Sequence, residues 1–166
     1  MATKADFTAE EWGQVLGSVM AVGMAVTLAD PSGLIGMAKE GLASGSALVA
    51  AKTDPNANAL IKSAVSDFET SEGRAAARAA IKAALAGKQP TEIKGDLLRT
   101  LSQTAALLDA KAPDDAAGFK AWLRDISERV ANASSEGGFL GFGGVQVSDA
   151  EKASLDEISS ALKLTS

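Results

Sequence analysis

Three basic side chains, Arg74, Arg78 and Lys82, recur at intervals of four residues. On a helix this spacing sets them along one face. A row of cationic groups there could hold an anion: a phosphate, an acidic partner or a lipid headgroup. The same residues serve as a solvated face opposite Ala77, Ile81 and Leu85, and no aromatic residue is interleaved for base stacking. The solvated face is the favoured of the two readings.

Carboxylates offer a second kind of chemistry. Asp54, Asn56 and Asn58 match the first three ligand positions of a calcium loop, but the sixth position is Ala59 rather than glycine and the twelfth is Val65 rather than glutamate. "DPNA" reads better as a helix start, with Asp54 as the N-cap and Pro55 in the first turn. Asp109, Asp114, Asp115 and Asp125 form an acidic grouping in the sequence, yet their spacing identifies no metal site.

The chain has no cysteine, histidine or tyrosine. Thiolate metal sites, iron–sulfur clusters, Ser-His-Asp triads and Glu-x-x-His di-iron sites are thereby excluded. Catalysis would fall to Ser, Thr, Asp, Glu, Lys and Arg, and no motif arranges them, so the expectation leans away from an enzyme. No cofactor and no metal is implied. The formal net charge of −5 argues against nucleic acid as a partner.

One stretch resists the helical pattern. In "EGGFLGFGGVQVS", from Glu136 to Ser148, Phe139, Leu140 and Phe142 stand among five glycines. It lacks the Gly-Lys-Ser/Thr ending of a phosphate loop and the glycine spacing of a dinucleotide turn. Leaving three large apolar side chains exposed costs about 1.5–3 kcal/mol each. The expectation is a plug closing one end of a bundle, with capture of a partner or ligand, or insertion at a membrane interface, as the alternatives.

These residues need elements to position them. "TAEE" at Thr8 has the form of a capping box, opening a first helix that is uncharged from Trp12 to Ala29. At 18 residues this run reaches the lower edge of a transmembrane span, roughly 17 residues. Gly13, Gly17 and Gly23 and the stop at Asp30-Pro31 favour a buried central helix instead. Asp30-Pro31 restarts a second helix whose apolar stripe takes in Leu34, Ile35, Ala38, Leu42 and Val49. Leu60, Ile61, Ala64, Val65 and Phe68 mark a third. "SEGRAAARAAIKAALAGKQP" is a further helix or a continuation past Gly73, ended by Gly87 in the left-handed conformation and by Pro90. Thr91 to Lys111 carries the next stripe. Phe119, Trp122, Leu123, Ile126 and Val130 form the cleanest amphipathic pattern, opening at Pro113. Ser148 and Glu151 cap a last helix bearing Leu155, Ile158 and Leu162.

Only 4% of the chain is aromatic and about one residue in five is alanine, so the core is built from small and aliphatic side chains and its helices can approach closely. The chain therefore reads as an all-α, single-domain bundle (residues 1–166) of six to seven helices with a buried, apolar N-terminal helix. Residues 134–147 form a glycine-rich connection before the final helix. The expected function is non-catalytic binding of a protein partner or an apolar ligand, self-association included. The candidate residues are Phe139, Leu140 and Phe142, with Arg74, Arg78 and Lys82 as an anion site. A membrane-associating or membrane-inserting protein is the alternative, and a carboxylate-metal enzyme the weaker third. Glu10 and Glu11 before the first apolar run do not resemble a secretory leader, and the absence of cysteine fits a reducing compartment, so the expected location is the cytoplasm.

Overall fold

Thr8 begins the first helix as its pattern requires. Its hydroxyl accepts from the Glu11 amide at 3.2 Å, and the Glu11 carboxylate accepts from the Thr8 amide at 2.8 Å. This reciprocal closure satisfies two amides that a helix start otherwise leaves open. The computed structural model describes residues 1–29, 37–135 and 147–164. After a short 3-10 turn at Lys4–Asp6 come α1 (Ala9–Thr27), α2 (Met37–Thr53), α3 (Ala59–Phe68) and α4 (Ser71–Ala84). They are followed by α5 (Ile93–Lys111), α6 (Pro113–Ser135) and α7 (Asp149–Ala161). There is no strand among the described residues, and the molecule is a single-domain all-α bundle.

α1 is the helix around which the others pack. It buries Trp12, Val15, Leu16, Val19, Val22 and Val26, and its neighbours are principally α4, α5 and α6, with α7 against its later turns. Its lack of charge from Trp12 onward follows from that position: a helix covered on several sides cannot keep a polar stripe. Its buried polar group is satisfied locally, since the Ser18 hydroxyl donates to the Val15 carbonyl at 2.6 Å. From α7, Ser154 donates to the Ala25 carbonyl at 3.2 Å, tying the last helix to the first. Among the described residues no helix is long and apolar enough to cross a membrane.

The glycines of α1 have a specific use. A β-carbon at Gly17 would lie 3.1 Å from that of Ala80 and 3.6 Å from the Ala77 carbonyl oxygen; at Gly13 it would meet Ala76 and Ala80 at 3.8 and 4.0 Å. The small-residue pair therefore sets how closely α1 and α4 approach. At the junction of α3 and α4 the space is tighter still, because a β-carbon at Gly73 would fall 2.1 Å from the Asp67 carbonyl oxygen. Gly73 is the third residue of α4, a new helix whose cap is Thr70, with the Thr70 hydroxyl accepting from the Gly73 amide at 2.9 Å.

The ends of the remaining helices follow their residues. Gly87 has φ +73°, the left-handed conformation glycine permits. Ser148 and Glu151 close the capping box of α7. Phe119, Trp122, Leu123, Ile126 and Val130 are all buried on α6, and Leu155, Ile158 and Leu162 are buried at the end of the chain.

Three details differ from expectation. Val49 is 65% exposed, whereas Ala47 and Ala51 are buried. The alanines are four residues apart and share a face, and Val49 stands about 200° around the helix from each. Asp54 does not cap α3. Its carboxylate accepts from the Asn56 amide at 2.8 Å and its carbonyl from the Ala57 amide at 3.2 Å, a turn with Pro55 at the position where its fixed φ is favourable. The cap is Asn58, whose side-chain oxygen accepts from the Ile61 amide at 2.9 Å. Finally, α6 continues through Ser135, so positions 134 and 135 belong to a helix and not to the glycine-rich connection. The Asp30-Pro31 restart, with Leu34 and Ile35, lies outside the described residues.

Candidate functional site

A cleft of about 610 Å³ opens between the end of α2, the turn before α3 and the first half of α6. The residues that make it are small. Ala47, Ala50 and Ala51 come from α2, Ala57 from the turn, and Gly118 and Ala121 from α6. Two facing helices that present alanine and glycine at helical spacing leave a volume that larger side chains would fill. Ile61 and Trp122, both nearly covered, complete the apolar part of the lining.

Asn58 holds the two sides of the cleft together. Its oxygen caps α3, and its Nδ2 donates to the Asp115 carbonyl at 2.9 Å, in the first turn of α6. Gly118 makes room for this bridge, since a β-carbon there would come 2.8 Å from Asn58 Nδ2.

Trp122 packs edge-on against Phe119, with ring centroids 5.2 Å apart. Its indole N–H is enclosed and has no acceptor among the described residues. Leaving such a donor unpaired costs about 1–3 kcal/mol.

The polar lining consists of Asp54, Asn56, Asn58, Asp114, Asp125 and Arg129. Arg129 Nε donates to Asp125 at 2.8 Å, so these two charges offset one another. Asp54 and Asp114 are exposed, and neither has a cationic partner among the described residues. The lining thus carries a net charge of −2: three carboxylates against one guanidinium.

The four carboxylates grouped in the sequence are dispersed in space. Asp115 is buried and accepts from the Ala2 amide at 2.5 Å. Asp109 pairs with Lys120 at 2.7 Å and Lys163 at 3.5 Å. The Lys120 hydrogen bond above all holds the Asp109 carboxyl below its usual range. Asp125 is taken by Arg129, and Asp114 alone faces the cleft without a counter-charge. Among the described residues no three potential ligands converge to hold a metal ion.

Arg74, Arg78 and Lys82 lie on the exposed side of α4, opposite buried Ala77 and Ile81. Arg74 donates to the Phe68 carbonyl at 2.8 Å and so helps to close the end of α3. Arg78 and Lys82 make no ion pair among the described residues. Phe139, Leu140 and Phe142 lie outside the described residues.

The cleft went unanticipated because its residues were accounted for separately, Trp122 as core, Asp54 as a cap and the alanines as helix formers. The available signal was the helical spacing of small residues on two segments, i, i+3 and i+4 in "ALVAA" and i and i+3 in "GFKA". A second, smaller depression of about 440 Å³ lies between α6 and α7. Its Arg124 is engaged by Ser159 at 2.6 Å and Glu128 at 2.6 Å.

Comparison with known proteins adds no precedent. The chain matches no protein-family model, no curated protein and no solved structure. What it does must be argued from its own geometry.

Proposed function

We propose that this chain is a non-catalytic binding protein whose cleft between α2, α3 and α6 receives a small amphipathic ligand. The observation that carries the reading is the cleft itself, about 610 Å³ walled by alanine and glycine, within the size range of small-molecule sites, roughly 300–1,000 Å³. The lining combines apolar side chains with a few polar groups, the combination that orients a ligand with a greasy body and a polar head. Support for a non-catalytic role comes from the side chains present. No histidine or cysteine is available, and the charged groups of the lining are exposed or half-buried rather than held in a water-excluded setting where acid–base chemistry gains strength.

The test is direct binding of six-carbon amphiphiles with different heads: hexylamine, 1-hexanol and hexanoate, measured by titration calorimetry and by backbone amide shifts. At least one is expected to bind saturably near or below about 1 mM, with shifts centred on Ala47–Ala51 and Gly118–Trp122. Ala50→Phe should fill the cleft and abolish that binding without lowering the melting temperature. If none of the three binds, or if Ala50→Phe leaves binding intact, the cleft is not the site.

A further inference from the structure

The charge of the cleft narrows the class of ligand. Of its three carboxylates, Asp125 is matched by Arg129 at 2.8 Å. Asp54 and Asp114 come from two different elements, the turn after α2 and the first turn of α6, and neither makes an ion pair among the described residues. No lysine contributes to the lining. A ligand that contacts these carboxylates displaces water from them, which is unfavourable unless it brings a compensating charge. The remaining wall suits an organic cation better than a bare ion. Ala47, Ala51 and Ile61 offer buried hydrocarbon, and no three carboxylates converge to replace the hydration shell of a metal. Trp122, 7% exposed, adds an aromatic ring of the type that attracts cations.

We propose that the ligand of this cleft is a small organic cation, an alkylammonium whose charge is held by Asp54 and Asp114 while its aliphatic chain lies on the alanine wall. The proposal rests on the cleft being a binding site, as argued above, and adds the sign of the charge it selects.

The two claims separate in one experiment. Hexylamine, which is cationic at pH 7 because alkylamines titrate near 10.4, is compared with 1-hexanol and hexanoate at low salt by calorimetry. Hexylammonium is expected to bind about tenfold or more tightly than hexanol, and hexanoate more weakly than either. The Asp54→Asn/Asp114→Asn variant is expected to lose the preference for the amine, read as the ratio of amine to hexanol affinity in that same variant. Both residues are exposed, and an asparagine at 54 keeps an oxygen for the Asn56 amide, so the fold is retained. Arg129→Ala frees Asp125 and is expected to strengthen the preference. Added salt is expected to weaken it, as for any partly exposed charge pair. If hexanol binds as tightly as hexylammonium, or hexanoate binds best, the charge selection is wrong and the cleft remains a binding site. If the amine preference survives in the double variant, the cation is held elsewhere and the proposal fails. If no probe binds, the proposal and the reading beneath it fall together.

Discussion

Trp12 on α1 donates its indole N–H to the Asp67 carboxylate on α3 at 2.7 Å, across 55 positions of sequence. The same oxygen accepts from Lys4 at 2.8 Å. One carboxylate thereby ties the segment before α1, the first turn of α1 and the end of α3 into a single knot. Burial works to raise the Asp67 carboxyl, but the hydrogen bonds from Lys4 and Trp12 and the Lys4 charge outweigh it. The group sits below its ordinary value of 3.8.

That shift has a definite sign in stability. A carboxyl depressed in the folded state stabilises the fold above its unfolded value and ceases to do so as pH falls through the folded value. Asp67→Asn keeps an acceptor for Trp12 but removes the charge seen by Lys4. It should cost about 1 kcal/mol at pH 7, with the difference from the parent shrinking as pH drops below about 3.9. Urea denaturation at pH 7 and at low pH measures it. Glu11, lowered chiefly by its hydrogen bond from Lys111, and Asp109, lowered chiefly by Lys120, act in the same direction. Acid should therefore destabilise both proteins further.

Glycine-to-alanine substitutions should divide by location. In a helix the exchange ordinarily stabilises by about 0.5–1 kcal/mol. At Gly95 on α5 nothing lies within 4 Å of the added β-carbon, so Gly95→Ala should follow that rule. At Gly73 the β-carbon would sit 2.1 Å from a carbonyl oxygen, and Gly73→Ala should destabilise by about 2–3 kcal/mol. Opposite signs in thermal melts are expected; equal effects would mean that the α3–α4 junction is more open than described.

Along the α1–α4 seam, Gly17→Leu should cost about 2–3 kcal/mol because Ala80 stands 3.1 Å from the new β-carbon. Gly13→Ala, with its nearest neighbours at 3.8 and 4.0 Å, should be neutral or mildly stabilising. Chemical denaturation of the two variants distinguishes a seam set by Gly17 from one that is insensitive to either.

Asn58 and Gly118 should behave as one unit. Asn58→Ala removes a helix cap and should cost about 1 kcal/mol. Gly118→Ala should cost a similar amount by displacing the same amide group. The double variant should cost little more than Asn58→Ala alone, since the side chain that the methyl displaces is gone. Additive losses would show that the two positions act independently.

The parts of the fold that were legible in the sequence rest on local chemistry. Thr8 with Glu11, and Ser148 with Glu151, close their capping boxes within four residues. The face of α6 follows from five apolar residues in one phase. What was not legible depends on contacts far along the chain. Both Asp54 and Asn58 are good caps by residue type, and Asn58 prevails because, while its side-chain oxygen caps the helix, its Nδ2 reaches the Asp115 carbonyl, 57 positions away. Val49 looks like core by type alone, but the register of α2 turns it outward. The cleft is harder still, because it is defined by side chains that are absent, and a run of alanines reads equally as helix propensity.

The central position of α1 also bears on how the molecule is made. The helices that cover it, α4 to α7, all follow it in the chain, and synthesis proceeds from the N-terminus. A largely apolar helix is therefore complete long before its covering helices exist, and it must be kept from other apolar surfaces while distant segments arrive. Closing such non-local contacts is the slow part of folding. The bundle's central element is thus also a hazard on the ribosome, and chains released before α5 should aggregate rather than fold.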